Sequence, residues 1–180
     1  MADDAPPGGD PSVPTLEDGV IRLRPLTLAD ADAWLEGEDD VIRRWFQFPR
    51  PSTRADVSAA IESWARSWRE GGRVRHFGIE AGASPTLVGG VEVRDRGEGS
   101  AYVSYLFFAP HRRRGHGSRA VRLAALHALQ DTPVTRLVII VDEDNQASRA
   151  VAEAAGFRLE GLAEAWEHVE LGSMLRYVRP

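Results

Sequence analysis

Arg112-Arg113-Arg114-Gly115-His116-Gly117 is the stretch that decides the fold, since it joins an apolar, strand-like run at 101–108 to a helical pattern near Ser118. Glycines let backbone N–H groups approach an anion closely, and the following helix directs the positive end of its dipole to the same place. The arginines add permanent charge and forked donors for phosphate oxygens. The stretch therefore predicts a pyrophosphate site at the start of a helix.

Two known phosphate motifs compete for this turn. No Lys-Ser/Thr pair follows the first glycine, so the turn is not a P-loop. Gly115, Gly117 and Ala120 have the spacing of a dinucleotide fingerprint, with Asp142 near the end of the next strand. Only 38 residues follow Asp142, too few for the remaining parallel strands of that fold. Because the glycine spacing still matches, a nucleotide-binding oxidoreductase nevertheless stays as an alternative.

Working outward, hydrophobic periodicity predicts a mixed α/β order with antiparallel strands first and a β-α-β unit late. Two helices should begin at capping patterns, Thr27 with Asp30 and Thr53 with Asp56. The β-branched run 134–141 is typical of a strand covered on both faces. The other expected strands are 20–26, 76–81, 87–93, 101–108, 157–167 and 173–178, and the other helices are 118–130 and 146–155.

The bulk composition limits the function classes. The chain has 180 residues, no cysteine and a net charge of −5. These values predict one domain at 15–180 behind a Pro- and Gly-rich flexible tail at 1–14. They also predict no nucleic-acid partner, no membrane segment and no metal site, and favour the cytoplasm.

A second motif joins the first near the end of the chain. Arg112-x-x-Gly115-x-Gly117, together with Asn145, Ser148 and the Gly156-Phe157 pair, resembles the GNAT superfamily of acetyl-CoA-dependent N-acetyltransferases. Pro51 to Thr53 and Leu87 to Gly90 resemble its ribosomal-protein (RimJ/RimL-like) branch. The resemblance covers nearly all of 19–180. It implies a single-domain, splayed mixed sheet of about seven strands with helices on both faces.

The resemblance also implies which residues hold the cofactor. Acetyl-CoA should enter where the central strands splay, pair with the open backbone near the end of strand 101–108, and place its pyrophosphate on the glycine turn. The residues expected to bind it are Leu106, Phe107, Phe108, Arg112, Arg113, Arg114, Gly115, His116, Gly117, Ser118, Asn145 and Ser148.

The catalytic residues follow the family less closely. Many members carry a proton-donating Tyr at the position of Ala152, so Ser148 becomes the expected donor to the leaving thiolate. A serine in the first turn of a helix also often bonds local backbone. Asn145 fits both an N-cap and a ligand contact. Glu92 is the first choice of general base, with Glu167, Glu170 or a water chain as alternatives.

The acceptor side is predicted from aromatic and acidic residues. Trp45, Phe46 and Phe48 either line the acceptor groove or pack a loop onto the core. The acidic residues Glu36, Glu38, Asp39 and Asp40 would steer a cationic protein N-terminus. The expected reaction is acetylation of a protein or peptide α-amine through a ternary complex. A small-molecule amine, a non-catalytic CoA-binding protein and a homodimer stay open.

Overall fold

A computed structural model describes residues 13–164 and 173–180. The strands are β1 Leu16–Glu17, β2 Ile21–Arg24, β3 Val74–Ala81, β4 Thr86–Gly97, β5 Ser100–Phe107, β6 Arg136–Asp142, β7 Arg158–Leu162 and β8 Met174–Arg179. The α-helices are α1 Ala31–Gly37, α2 Asp40–Phe46, α3 Arg54–Arg69, α4 His116–Asp131 and α5 Gln146–Ala154.

The strands form one 8-stranded sheet in the order β1-β2-β3-β4-β5-β6-β8-β7. Among the strand pairs of the described residues, β5 with β6 is the parallel one and every other pair is antiparallel. A dinucleotide-binding fold needs several adjacent parallel strands. The oxidoreductase alternative is therefore wrong, and the predicted mixed sheet is confirmed with eight strands instead of seven.

The sheet splits at its single parallel pair. β5 and β6 are in register only at Ser100 with Arg136, Ala101 with Leu137 and Tyr102 with Val138. β5 then continues to Phe107 with β4 on one side and without a ladder to β6 on the other. The splayed centre implied by the family resemblance is thus present, and it opens immediately after Tyr102.

Local signals place most of the helix starts. Thr27 with Asp30 and Thr53 with Asp56 form complete capping boxes, as predicted. α2 was not predicted as a helix, because its seven residues are too few to show a clear period. The Asp39 side chain caps it by accepting from the Ile42 amide, and Gln47 ends it in the left-handed region at φ 55°.

Two hydrophobic clusters cover opposite faces of the sheet. The larger contains the buried alanines of α4 and α5 together with Phe77 and Tyr177. The smaller joins α1, α2 and α3 around Trp34, Ile61 and Phe108. Val13 is also buried in the larger cluster, so packing begins inside the range expected to be a flexible tail.

Candidate functional site

A cavity of about 670 Å³ occupies the split between β5 and β6. Residues 103–107 of β5 and 139–142 of β6 line its two sides. The turn 111–118 and helix α5 line it from one face of the sheet, and α2 lines it from the other. The cavity therefore passes through the sheet and gives two reactants access from opposite faces.

The two glycines of the turn serve different purposes. Gly115 has φ +77° and caps α4, and a Cβ there would meet open space, so its role is conformational. A Cβ on Gly117 would lie 2.8 Å from Val151 Cγ2. Gly117 thus lets the first turn of α4 approach α5 closely, which sets the width of the cavity at this end.

Arg112 differs from its prediction as a phosphate-binding side chain. Its Nε donates to the Phe107 carbonyl at 2.8 Å, and its Nη2 donates to Asp39 Oδ1 at 2.8 Å. The guanidinium therefore ties the turn to the end of β5 and to the N-cap of α2. Arg113 and Arg114 also line the cavity, and Arg113 has a left-handed backbone at φ 59°.

The helix start offers polar groups that suit an anion. Among the described residues, His116 Nδ1 is a buried atom without a hydrogen-bond partner. Burial, followed by the charges of His111 and nearby arginines, lowers the pKa of His116, so its ring is neutral at pH 7 and retains an N–H to donate. Ser118 Oγ donates to the Gly115 carbonyl. The first amides of α4 and this imidazole fit a pyrophosphate.

The end of β5 presents backbone donors to the split. The Phe108 amide donates to the Val88 carbonyl, so in the antiparallel ladder with β4 it is the even-numbered residues that bond β4. The N–H groups of Tyr105 and Phe107 consequently face the cavity. Leu106 and Phe107 line it, whereas the Phe108 side chain is buried against Trp34, so Phe108 is a core residue and not a ligand contact.

Asn145 and Ser148 lie together at the start of α5, and both line the cavity. Asn145 Oδ1 accepts from the Ser148 amide at 3.1 Å, which is an N-cap. The Ser148 hydroxyl does not bond local backbone. Its Oγ lies 2.8 Å from the hydroxyl of Tyr105 on β5, so the serine side chain is held across the split.

Tyr105 was not predicted as a site residue, although it lines the cavity. Its hydroxyl is also 3.0 Å from the Ser148 carbonyl, and burial raises the pKa of this tyrosine to about 12. The available signal was a phenol in an otherwise apolar strand next to the glycine turn. Strand alternation alone leaves open which face it occupies, and only the placement of α5 shows its partner.

Glu92 does not line the cavity, contrary to its prediction as the general base. Its carboxylate is paired with Arg94 Nη2 at 2.8 Å and lies 3.4 Å from His76 Nδ1. Burial would raise the pKa of Glu92, but hydrogen bonding from His76 and the charge of Arg94 outweigh it and lower the pKa. Such a carboxylate is a poor base. The alternatives Glu167 and Glu170 lie outside the described residues.

Helix α2 forms one wall of the cavity with Val41, Ile42, Trp45, Phe46 and Gln47. The prediction that Trp45 and Phe46 line a groove agrees with this placement. Phe48 does not line the cavity and is 37% exposed, with its ring 6.0 Å from that of Phe46.

The predicted acidic surface is largely neutralised. Arg43 forms ion pairs with Glu38 and Asp40, and Arg112 pairs with Asp39. Glu38 also accepts from the Ser52 amide. These three carboxylates therefore stabilise α2 and its neighbours. Steering of a cationic substrate by the whole acidic run, which also includes Glu36, stays a prediction.

The described residues contain no group of three or more His, Asp or Glu side chains arranged to hold a metal ion. In the same residues, no helix has the length and apolar character required to cross a bilayer.

Known proteins and one protein family are similar to this chain in sequence. Residues 21–158 match the acetyltransferase (GNAT) domain family. The chain is 28% identical over 157 residues to the probable N-acetyltransferase YjcK of Bacillus subtilis, covering 82% of this chain and 86% of that protein. It is 24% identical over 152 residues to the N-acetyltransferase YoaA of the same organism, with coverages of 83% and 85%.

Solved structures agree on the fold. RimL, a ribosomal L7/L12 α-N-protein acetyltransferase solved with coenzyme A, superposes with a TM-score of 0.76 at 20% identity, covering 90% of this chain and 94% of that one. Mycobacterium smegmatis RimJ gives 0.73 at 22% identity, with coverages of 93% and 86%. The family match spans most of the chain, and the cavity and helix start fit the cofactor. The chain therefore belongs to the GNAT acetyltransferase family and is an acetyl-CoA-dependent N-acetyltransferase.

Proposed function

We propose that this enzyme acetylates the α-amine at the N-terminus of a protein or peptide, by direct attack of the amine in a ternary complex. One observation carries the proposal: among the described residues that line the cavity, Asp142 is the sole carboxylate. The fold similarity to RimL, which is named an α-N-protein acetyltransferase, is consistent with it.

The cavity wall argues against polycationic acceptors. Polyamines and aminoglycosides carry several ammonium groups, and groups of this kind need carboxylate partners when they leave water. In the described lining, a single carboxylate accompanies Arg113 and Arg114, and α2 contributes apolar and aromatic surface. That surface suits the side chain of a first residue that is apolar and carries one amine.

Among the described residues that line the cavity, the carboxylate and imidazole side chains are those of Asp142, His111 and His116, and this short list favours an α-amine over a lysine amine. An α-amine titrates near pH ~8, so about a tenth of it is neutral at pH 7, whereas a lysine amine with a pKa near ~10.4 is almost wholly charged. Glu92 lies outside the cavity, and His111 and His116 belong to the turn assigned to the pyrophosphate. An acceptor that deprotonates readily therefore fits this site.

Three groups of the chain are assigned to the reaction. The N–H groups of Tyr105 and Phe107 face the split and donate to the oxyanion that develops on the thioester carbonyl. Ser148 Oγ, which lines the cavity, donates to the departing thiolate. Arg113, Arg114, Gly115, His116, Gly117 and Ser118 hold the pyrophosphate, and Arg112 positions this turn through its side chain.

An acceptor panel tests the proposal. Thiol release from acetyl-CoA is followed with peptides that have an apolar first residue and a free α-amine, with the same peptides blocked at the α-amine but containing lysine, and with a polyamine and an aminoglycoside. We expect kcat/KM for the free α-amine peptides to exceed the others by at least about 10-fold, with mass spectrometry placing the acetyl group on the first residue. Faster turnover of the polyamine or aminoglycoside would refute the proposal.

Two other expectations stay predictions. We propose a cytoplasmic location, which the absence of cysteine from the sequence suits. A homodimer stays one possible state of the chain, and sedimentation or concentration-dependent mass measurements on the full chain would test it directly.

A further inference from the structure

Two hydroxyl groups meet where the thiol of the cofactor is expected to leave. The hydroxyl oxygen of Tyr105 lies 2.8 Å from Ser148 Oγ and 3.0 Å from the Ser148 carbonyl oxygen. Both residues line the cavity in the split. Because a phenol has one proton, Tyr105 can donate to the serine hydroxyl or to the serine carbonyl, but not fully to both.

The choice decides where the serine proton points. If Tyr105 donates to the Ser148 carbonyl, the 2.8 Å contact has to be a bond donated by the serine, whose proton then faces the tyrosine. If Tyr105 donates to Ser148 Oγ, the serine proton is available to the cavity. Only the second arrangement lets Ser148 serve a departing thiolate.

The second arrangement is open to this chain on two grounds. Ser148 and Ala152 both lie in α5, so the Ser148 carbonyl has its ordinary helical partner four residues on and does not depend on Tyr105. The raised pKa of Tyr105, about 12, keeps the phenol protonated throughout the working pH range. Tyr105 is therefore always a donor. Ala152, one turn along the same helix, supplies no polar group.

We infer that Tyr105 is a positioning residue for acetyl transfer, whose phenol donates to Ser148 Oγ and turns the serine proton toward the departing sulfur. This inference rests on the proposed role of Ser148. No bond to Tyr105 forms or breaks. As the thioester C–S bond breaks, its electron pair goes to sulfur, which Ser148 stabilises by a hydrogen bond. The proton that the thiolate finally takes up balances the one that the amine loses on becoming an amide.

Four variants of the full-length enzyme test the inference: Y105F, S148A, the double variant, and Y102F as control. Tyr102 lies on the same strand, before the split, with its ring beside Arg96, and it does not line the cavity. Thiol release with the best acceptor of the panel gives kcat and KM. Thermal unfolding and acetyl-CoA titration report on folding and cofactor affinity.

We expect S148A to lower kcat by about 100-fold and Y105F by about 10-fold, with KM and Kd for acetyl-CoA changed less than about twofold. The double variant should match S148A alone, because without the serine hydroxyl the phenol has nothing to orient. Y102F should keep wild-type kinetics. A structural role for Tyr105 would instead shift KM, Kd and the unfolding temperature together.

Each other outcome has a distinct meaning. Y105F with wild-type kcat overturns the inference, and losses that multiply in the double variant show two independent hydroxyls and also overturn it. S148A with wild-type kcat overturns the assignment of Ser148 and the inference with it. A wild-type preference for a polyamine refutes the acceptor proposal alone, since the ratios between variants are measured on whichever acceptor is best.

Discussion

The two sides of the split are built in different ways. On the cofactor side, a contiguous turn presents backbone N–H groups, with Gly115 in a left-handed conformation and Gly117 placed against Val151. On the acceptor side, the short helix α2 presents side chains, chiefly Trp45 and Phe46. A site built from backbone N–H groups requires particular residue types at fixed positions. A wall built from side chains can change its residues without changing the fold.

Within residues 13–164 and 173–180, one ion pair joins the two sides. Arg112 belongs to the glycine turn, and its partner Asp39 is the N-cap of α2. Damage to the turn should therefore weaken cofactor binding, damage to α2 should weaken acceptor binding, and damage to the ion pair should weaken both slightly. Four predictions follow, from the largest expected effect to the smallest.

The largest effect is expected from G117V. The added side chain collides with Val151, because even a Cβ lies 2.8 Å from Val151 Cγ2. Moving α4 away from α5 should displace the amides that bind the pyrophosphate and weaken acetyl-CoA binding at least about 100-fold by calorimetry, given how sensitive close-packed contacts are. G97A is the control, since its Cβ meets open space at φ +86° and it should lose stability but not affinity. Unchanged affinity in G117V would break the claim that this approach sets the site.

The second effect should fall on the acceptor alone. W45A removes a large aromatic surface from the cavity wall, which should lower kcat/KM for the peptide acceptor by about 10-fold or more. The Kd for acetyl-CoA should stay within about twofold. F48A is the matched control, because Phe48 follows the same helix but does not line the cavity. Equal losses in W45A and F48A would mean that α2 contributes only stability.

The third effect is a pH dependence of the free energy of unfolding, and it arises on the face of the sheet covered by α1 and α3. His76 is buried, and its ring stacks on that of Trp64 with the ring centroids 3.6 Å apart. It faces Glu92 and Arg94, and burial lowers the pKa of His76. An unfolded histidine titrates near pH ~6.5. Below that value the unfolded chain binds a proton that the folded chain does not, so stability is fully present above pH ~6.5 and is lost as the pH falls toward the folded pKa.

Denaturant unfolding of wild type and H76F between pH 5 and 7 measures this dependence. The wild-type slope should reach up to about 1.4 kcal/mol per pH unit and be reduced in H76F, which keeps the stacked ring but does not titrate. Acetyl-CoA affinity at pH 7 should not change in H76F, because His76 does not line the cavity. Parallel slopes in both proteins would show that His76 does not set the dependence.

The smallest effect is expected from D39N. Asparagine also caps helices well, so this change keeps the bond from the Ile42 amide and removes mainly the charge opposite Arg112. A partly exposed pair contributes about 1 kcal/mol or less. We expect two- to fivefold losses in both acetyl-CoA affinity and acceptor kcat/KM. D39A, which also loses the cap, should additionally unfold at lower temperature. A loss on one side only would separate the two regions.

Much of the fold was predictable because its signals are local. The capping boxes at Thr27 and Thr53, the apolar run that became β6, and the glycine turn each depend on residues within a few positions of one another. The helix α2 and the two-residue strand β1 escaped prediction because elements this short carry little periodicity.

The sequence indicated lining residues on both sides of the split, namely the glycine turn on one side and Trp45 with Phe46 on the other. The spacing predicts the glycine turn as the cofactor site, and the structure pairs Arg112 with Asp39 and buries Phe108 in the core. Glu92 was chosen as a base from its strand, but a carboxylate on a strand can find partners on either neighbour, and Glu92 found His76 and Arg94. Strand alternation specifies a face and not a partner.

By itself, then, the sequence determined a mixed α/β domain of the GNAT type and predicted a pyrophosphate site on a glycine turn before a helix. Those features depend on backbone conformation, which residues next to one another control. Only the tertiary structure decided that Tyr105 meets Ser148 and that Arg112 meets Asp39, contacts that span 43 and 73 residues of chain. Such pairs exist because the sheet splits after Tyr102 and brings α2 and α5 to the opening, an arrangement that the packing of the whole domain sets.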